Sequence, residues 1–190
     1  FFKATAIPTI YATFSVPANW NCEKRQRLIN ASEIAGINAR NLVNSTTAAA
    51  VNYMMSHREK VPKANEPPAI AAFIDFGESL ATCSIARIRY GSVVVLGTAT
   101  NKFVTGANFT DLLESVLSER VLNEFKVDIH KSKRTEYRFR AAIEKLKKNL
   151  SINSVALLEL PSILEDRDVK MEVNREEFIS LIESPIETLN

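Results

Sequence analysis

The sequence predicts a mixed α/β or α+β protein in which a sheet is covered by helices, and three observations predict it. Strand-like and helix-like segments alternate at the start of the chain. A run of three β-rich segments with only tight turns between them, "FIDFGESLATCSIARIRYGSVVVLGTA", follows at residues 73–99. Two long amphipathic helices then precede a last pair of strands and a closing helix. A chain of 190 residues can bury one good core and is too short for more than two domains. The 46% hydrophobic and 24% charged composition is that of a globular protein and excludes a disordered or fibrous one.

The opening segment "IYATFSVPA", Ile10 to Ala18, combines β-branched and aromatic residues and stops at Pro17, which has no amide to donate. A helix follows. Asn21 can cap it, Leu28, Ile29, Ile34 and Ala35 recur at helical spacing, and Gly36 suits the left-handed position that ends it. "INARNLVN" is then a short strand, and "STTAAAVNYMM" begins a second helix with Ser45 or Thr46 as its cap. Residues 57–69, with three prolines, five charged residues and no apolar period, form a solvated loop. The three strands after it, the last two joined at Gly91-Ser92, are expected to be antiparallel neighbours because the turns are too short for a crossover.

From Asn108 to Phe125 the residues Phe109, Leu112, Leu113, Val116, Leu117, Val121, Leu122 and Phe125 trace one helix face. A second helix, Lys133 to Leu150, buries Phe139, Ile143, Leu146 and Leu150. "SVALLEL" and "DVKMEV", separated by a turn around Pro161 to Arg167, supply strands for these helices to cover. Asn174 with Glu177 makes an Asx form of the capping box for a final helix carrying Phe178, Leu181 and Ile182, which Pro185 kinks or ends.

The longest apolar runs, such as Ile70 to Ile74 and Val93 to Leu96, fall far short of the roughly 18 residues of a membrane helix. The start at Phe1-Phe2-Lys3, without an initiator Met or a signal peptide, reads as an excised fragment. Cys22 and Cys83 are expected to be free, mostly buried thiols in a reducing compartment. The sequons at Asn30, Asn44, Asn108 and Asn149 are short enough to arise by chance. A net charge of +2 gives no global field for nucleic acid. The segment 131–148 is a local exception, with Lys131, Lys133, Arg134, Arg138, Arg140, Lys145, Lys147 and Lys148 against Glu136 and Glu144. His57 and His130 lack Cys, His or acid neighbours at ligand spacing, so no protein-ligated metal is expected. No Gly-x-Ser-x-Gly setting supports a nucleophilic serine. Trp20 and Cys22 read as packing residues.

Four motifs in order carry a resemblance. "FSVPANWNCEKRQRLINASEIAGINARNLVNSTTAAAVNY" resembles the part of the seventy-kilodalton heat-shock chaperones that holds a "VPA" strand, a helix rich in Arg and Gln, and an Asn-Glu-Pro-Thr-Ala-Ala-Ala helix. The strand meander stands where those chaperones carry the phosphate loop Asp-Leu-Gly-Gly-Gly-Thr. "LGTATNKFVTGANF" resembles their Gly-Gly-Glu-Asp-Phe region, and "IEKLKKNLS" their adenosine-side helix. The likeness is collinear over nearly the whole chain. It is stronger to the hundred-and-ten-kilodalton branch, which alters the residues after Asp-x-Gly and shares the sequences at Glu78-Ser79, Cys83 to Ile85, Val95 to Ala99 and Glu144 to Lys148.

The resemblance implies an actin-like (ribonuclease H-like) ATPase lobe with a smaller α+β subdomain. It implies the end of a first lobe at residues 1–44, the base of the second lobe at 45–100 with 175–190, and an upper subdomain at 101–174. The ligand implied is ATP or ADP with magnesium. The partner implied is a seventy-kilodalton chaperone whose nucleotide release is accelerated, with unfolded clients held by domains outside this chain, in the cytoplasm, and with neither nucleic acid nor membrane. The residues carried over for the nucleotide are Asp75, Gly77, Gly106, Glu144, Lys147, Lys148 and Ser151.

In such a site glycines let backbone amides approach phosphate, and an acid at the strand end orients magnesium-bound water. Asp75 and Gly77 suit those roles, but Glu78, Ser79 and Leu80 stand where the chaperones have glycine, glycine and threonine. A carboxylate about 4 Å from a phosphate oxygen repels it by ~1 to ~4 kcal/mol, depending on effective dielectric; alternatively Glu78 is an exposed turn acid that points away. Ser45 stands in place of a family glutamate, and Ala107, Asn108 and Thr110 in place of the acids of Gly-Gly-Glu-Asp-Phe-Asp, leaving Gly106 and Phe109. Hydrolysis is therefore expected to be weak or absent, with an ordinary ATP-hydrolysing folding chaperone as the alternative. Glu144, Lys147, Lys148 and Ser151 fall at i, i+3, i+4 and i+7, so one helical face can present a carboxylate to a ribose and cations to a base. A solvated Glu–Lys surface pair is the competing reading of that face. Lys148 stands in place of an adenine-stacking Arg and lacks its planar group.

Overall fold

The computed structural model describes residues 10–164 and 167–187 and divides into two compact units, residues 1–76 with 80–100 and residues 77–79 with 101–190. In the first unit β1 (Ile10–Val16) and β2 (Ile37–Asn44) pair in parallel, with a register irregularity after Ala12. Parallel neighbours need a crossover. It is α1 (Cys22–Ile34), whose cap Asn21 accepts from the Lys24 amide at 3.0 Å and which leads into Gly36 at φ +75°.

The apolar face expected of α1 is not buried. Ser32 is the helix's one buried residue, Leu28 and Ile29 are half-buried, and Ile34 is 89% exposed. The pair β1–β2 is too narrow to cover a full helix stripe. Cys22 is exposed and Cys83 half-buried, so the expectation of mostly buried thiols and of a packing role for Cys22 is corrected.

Helix α2 (Ser45–Ser56) is capped at Asn44 rather than at Ser45 or Thr46. Asn44 gives no side-chain cap bond, and its Oδ1 accepts from the Arg25 guanidinium at 2.7 Å. Thr46 is instead buried and its hydroxyl bonds that of Ser84 at 2.7 Å.

The meander forms as expected, in the order β3 (Ala69–Phe76), β4 (Ala81–Arg89), β5 (Ser92–Asn101), with β3 and β4 antiparallel. The last turn is Tyr90-Gly91, with Gly91 at φ +78°, one residue earlier than the sequence placed it. Strand β4 alternates strictly at its end: Ser84, Ala86 and Ile88 are buried between exposed Ile85, Arg87 and Arg89. Ala86 and Ile88 join Ala50 of α2 and Val61 in the first core, with Met54, Ala71, Phe73 and Val93 against it.

In the second unit α3 (Gly106–Phe125) starts two residues before the expected Asn108 and ends at Lys126, a non-glycine residue at φ +58°. Its inner face holds Leu113, Leu117 and Val121 together with buried Thr110 and Ser118, while Leu122, expected inside, is 47% exposed. A short 3-10 turn, Ile129–Lys131, leads to α4 (Lys133–Leu150). The four residues predicted for the α4 core, Phe139, Ile143, Leu146 and Leu150, are all buried.

Strand β6 (Val155–Leu164) continues through Pro161, where a turn was expected, and pairs antiparallel with β7 (Arg167–Asn174). The register slips between Leu160 and Leu164 and Ser162 adopts φ +44°, so the missing proline donor falls in an irregular stretch of ladder. Arg138 donates to the carbonyls of Pro161 and Ser162 at 2.5 and 2.9 Å and fixes that stretch onto α4.

Helix α5 (Arg175–Glu187) runs two residues beyond Pro185 rather than ending there. Glu177, expected to complete a capping box with Asn174, pairs through both carboxylate oxygens with Arg120 of α3. Phe178 enters the core edge-to-face with Phe109, and Leu181 and Ile182 pack against it.

Candidate functional site

The first turn of α3 is the best-built polar feature of the second unit. Asn101 closes the chain before it, its Oδ1 accepting from the amides of Phe103 (2.6 Å) and Val104 (3.0 Å). Thr105 is the cap, accepting from the Asn108 amide at 3.2 Å. The amide of Phe109 reaches the Thr105 carbonyl at 3.1 Å.

The remaining two amides of the turn go to residues 77–79. Gly106 donates to the Gly77 carbonyl at 3.1 Å and Ala107 to the Glu78 carbonyl at 2.9 Å. The amides of Gly106, Ala107 and Asn108, which have no intrahelical carbonyl to reach, are thus satisfied by the chain itself.

Gly106 leaves room for the Glu78 side chain where it rests. A Cβ at that position would collide with Oε2 of Glu78 and lie 3.3 Å from its Cδ and 3.4 Å from its Cα. The Glu78 carboxylate therefore rests against the start of α3, although its side chain is 61% exposed.

From α4, the Lys147 ammonium donates to the Gly106 carbonyl at 2.6 Å and to the Thr110 hydroxyl at 2.8 Å, and stands 3.9 Å from Oε2 of Glu78. Thr110 in turn donates to the Gly106 carbonyl at 3.0 Å. Gly77, Gly106 and Lys147, three of the residues predicted for the site, are brought together in this way.

Glu144, Lys148 and Ser151 lie along the same helix. Ser151 donates to the Lys147 carbonyl at 3.2 Å. Glu144 is half-buried and Lys148 exposed, and among the described residues no ion pair joins them. The two groups thus stand on the helix surface without the close pair that the competing reading expected. Asp75, exposed near the end of β3 opposite Thr82, belongs to the first unit, as does Ser45, the first residue of α2.

Sequence reasoning missed Asn101, Thr105 and Thr110. A Thr before an apolar helical run was a usable signal for the cap; nothing local marked Thr110 as a partner for Lys147. A separate cavity of about 500 Å³ is lined by Asp111, Glu114, Glu119, Asp128 and His130 and contains none of the predicted residues. Its acidic wall does not suit a phosphorylated ligand. Arg140 bridges two of these acids, at 2.7 Å from Asp111 and 2.6 Å from Glu114, and the Asp111 hydrogen bond raises its pKa above the ordinary arginine value.

Residues 7–189 match the Hsp70 protein family. The chain belongs to that family. It therefore takes the actin-like ATPase fold, and its relatives include heat shock proteins. It is 37% identical over 169 residues to a heat shock protein homolog of Saccharomyces cerevisiae, a match covering 89% of this chain and 24% of the relative. The same figures describe its likeness to heat shock protein hsp88 of Neurospora crassa. Heat shock protein 88 of Dictyostelium discoideum is 32% identical over 182 residues, 96% of this chain and 23% of its own length. The chain spans about a quarter of the length of these relatives.

The adenosine-side groups fit the nucleotide that an Hsp70-family domain implies: Glu144 and Lys148 are unengaged and share a helix face. On the phosphate side the Glu78 side chain lies beside Gly106, and the first-turn amides of α3 are taken by the chain itself.

Proposed function

We propose that this chain is part of a nucleotide-binding chaperone of the large heat-shock branch, which holds ATP or ADP with magnesium, hydrolyses it slowly or not at all, and promotes nucleotide exchange on a seventy-kilodalton chaperone in the cytoplasm. In this reading Glu144 serves the ribose, Lys148 and Ser151 the base side, Gly77 and Gly106 the phosphate side, Lys147 the frame between them, and Asp75 the magnesium waters. Residues 1–44, 45–100 with 175–190, and 101–174 are the proposed subdomains, with 101–174 the face offered to the partner. Clients would be held by parts of the protein outside this chain.

The observation that carries weak hydrolysis is the Glu78 carboxylate beside Gly106, where a phosphate-binding turn needs glycine and open amides. Support for the absence of nucleic acid comes from the basic stretch 131–148. Arg138, Arg140 and Lys147 are spent on internal acceptors and Lys131 also has a partner, which leaves a short cationic face. Among the described residues no helix is long and apolar enough to cross a membrane.

The test is calorimetry and steady-state turnover on the full-length protein with magnesium ATP, together with release of labelled nucleotide from a seventy-kilodalton chaperone. Binding without rapid turnover, and faster release from the partner, is the expected result. Rapid hydrolysis would end this reading in favour of an ordinary folding ATPase, which the 61% exposure of Glu78 would permit. Replacing Glu78 and Leu80 by Gly and Thr separates the two: a large gain in rate supports the first, no gain the second.

A further inference from the structure

We propose that Glu78 is a specificity-determining residue. Its carboxylate is a built-in anion that competes with a ligand's phosphates for Lys147 and the first turn of α3, so the site discriminates against ligands in proportion to their phosphate charge. This rests on the nucleotide-binding reading and deepens it, because that reading does not order nucleoside, diphosphate and triphosphate by affinity.

Three observations support the competition. Oε2 of Glu78 stands 3.9 Å from the Lys147 ammonium, whose other partners, the Gly106 carbonyl and the Thr110 hydroxyl, are neutral. Glu78 is thus the one anionic neighbour of that cation among the described residues. The amides of Gly106, Ala107, Asn108 and Phe109 are all taken by acceptors of the chain, so no amide there can offset a second anion brought beside the first.

The carboxylate is also separable from the turn that carries it. The Glu78 backbone is fixed by the Ala107 amide at 2.9 Å, while its side chain is 61% exposed. A phosphate can therefore displace the side chain without unfolding the turn, at an electrostatic cost that grows with its charge. For a carboxylate this exposed the cost is that of a surface charge pair, up to roughly fivefold in affinity.

The experiment titrates the full-length protein and its Glu78→Gln variant with adenosine, ADP, ATP and inorganic tripolyphosphate at fixed free magnesium. Glu78→Gln keeps the size and the backbone bond of residue 78. Expected are unchanged adenosine affinity, tighter ADP, ATP tightened most within the range above, tighter tripolyphosphate, and gains that shrink as salt rises. Glu78→Asp, which keeps the charge, should bind ATP as the parent does.

Equal ATP affinity in parent and Glu78→Gln, or a gain as large for adenosine as for ATP, overturns the proposal and leaves the nucleotide reading standing. If no adenosine compound binds either protein while Glu78→Gln alone binds tripolyphosphate, the nucleotide reading fails and the competition at Glu78 is upheld.

Discussion

Replacing Lys147 by Met separates two explanations of the contacts at the start of α3. The ammonium, whose side chain is 15% exposed, donates at 2.6 Å to the Gly106 carbonyl and at 2.8 Å to the Thr110 hydroxyl. A hydrogen bond from a charged donor contributes about 1.5–3 kcal/mol. The Gly106 carbonyl keeps the Thr110 hydroxyl as a donor, so the loss is nearer to one such bond than to two, about 2–3 kcal/mol. The Glu78 contact adds little, because at 3.9 Å with a 61% exposed carboxylate it belongs with surface ion pairs at about 0–1 kcal/mol. Met preserves the packing of the aliphatic stem. Urea unfolding followed by amide exchange at Gly106 and Ala107 reads the second unit. Trp20, the single tryptophan, lies in the first unit and serves as the control. The expected loss is the same whether residue 78 is Glu or Gln. If it falls below about 0.5 kcal/mol in the Glu78→Gln background, Lys147 acts only as a counter-ion to Glu78 and the positioning argument is wrong.

Three further outcomes test the fold. Phe139→Ala, at a fully buried position of α4, should cost about 3–5 kcal/mol in denaturant unfolding, and a loss under about 1 kcal/mol would remove Phe139 from the core. Ser84→Ala should cost about 1–3 kcal/mol, because it strips the buried Thr46 hydroxyl of its 2.7 Å partner; adding Thr46→Val should recover part of that, and a double variant worse than additive would contradict the network. Gly91→Ala should cost about 1–2 kcal/mol from φ +78° alone, since no atom lies within 4 Å of the added Cβ, and Gly91→Asn should cost less; equal stability of all three would deny the left-handed turn.

Helix α4 was legible in the sequence because its four inward residues repeat at helical spacing against a strongly charged remainder, and a long helix with one apolar stripe has a single way to bury it. The meander was legible for a similar reason, since its turns were too short for anything but antiparallel neighbours. The face of α1 misled because periodicity reports what a helix could bury and not the surface available to receive it. Ile34 is at the right spacing and still 89% exposed. The capping errors have long-range causes as well. Asn44 has its oxygen occupied by Arg25, and Glu177 is occupied by Arg120, partners 19 and 57 residues away.

The site shows the same division, and it changes what its glycines mean. Lys147 and Lys148 are adjacent in sequence and were read as one cationic face, yet Lys147 is committed to α3 while Lys148 is exposed. Only the tertiary position of the α3 first turn makes that distinction. Gly106 was read as a phosphate-loop glycine, but its backbone is not in the left-handed region, and the atoms that a Cβ would meet belong to Glu78 of the same chain. A Cβ there would have to push aside only the exposed end of that side chain, so the close approach at Gly106 reflects where the Glu78 carboxylate rests and says nothing about a phosphate. The glycine is for this reason a poor indicator of nucleotide binding taken by itself.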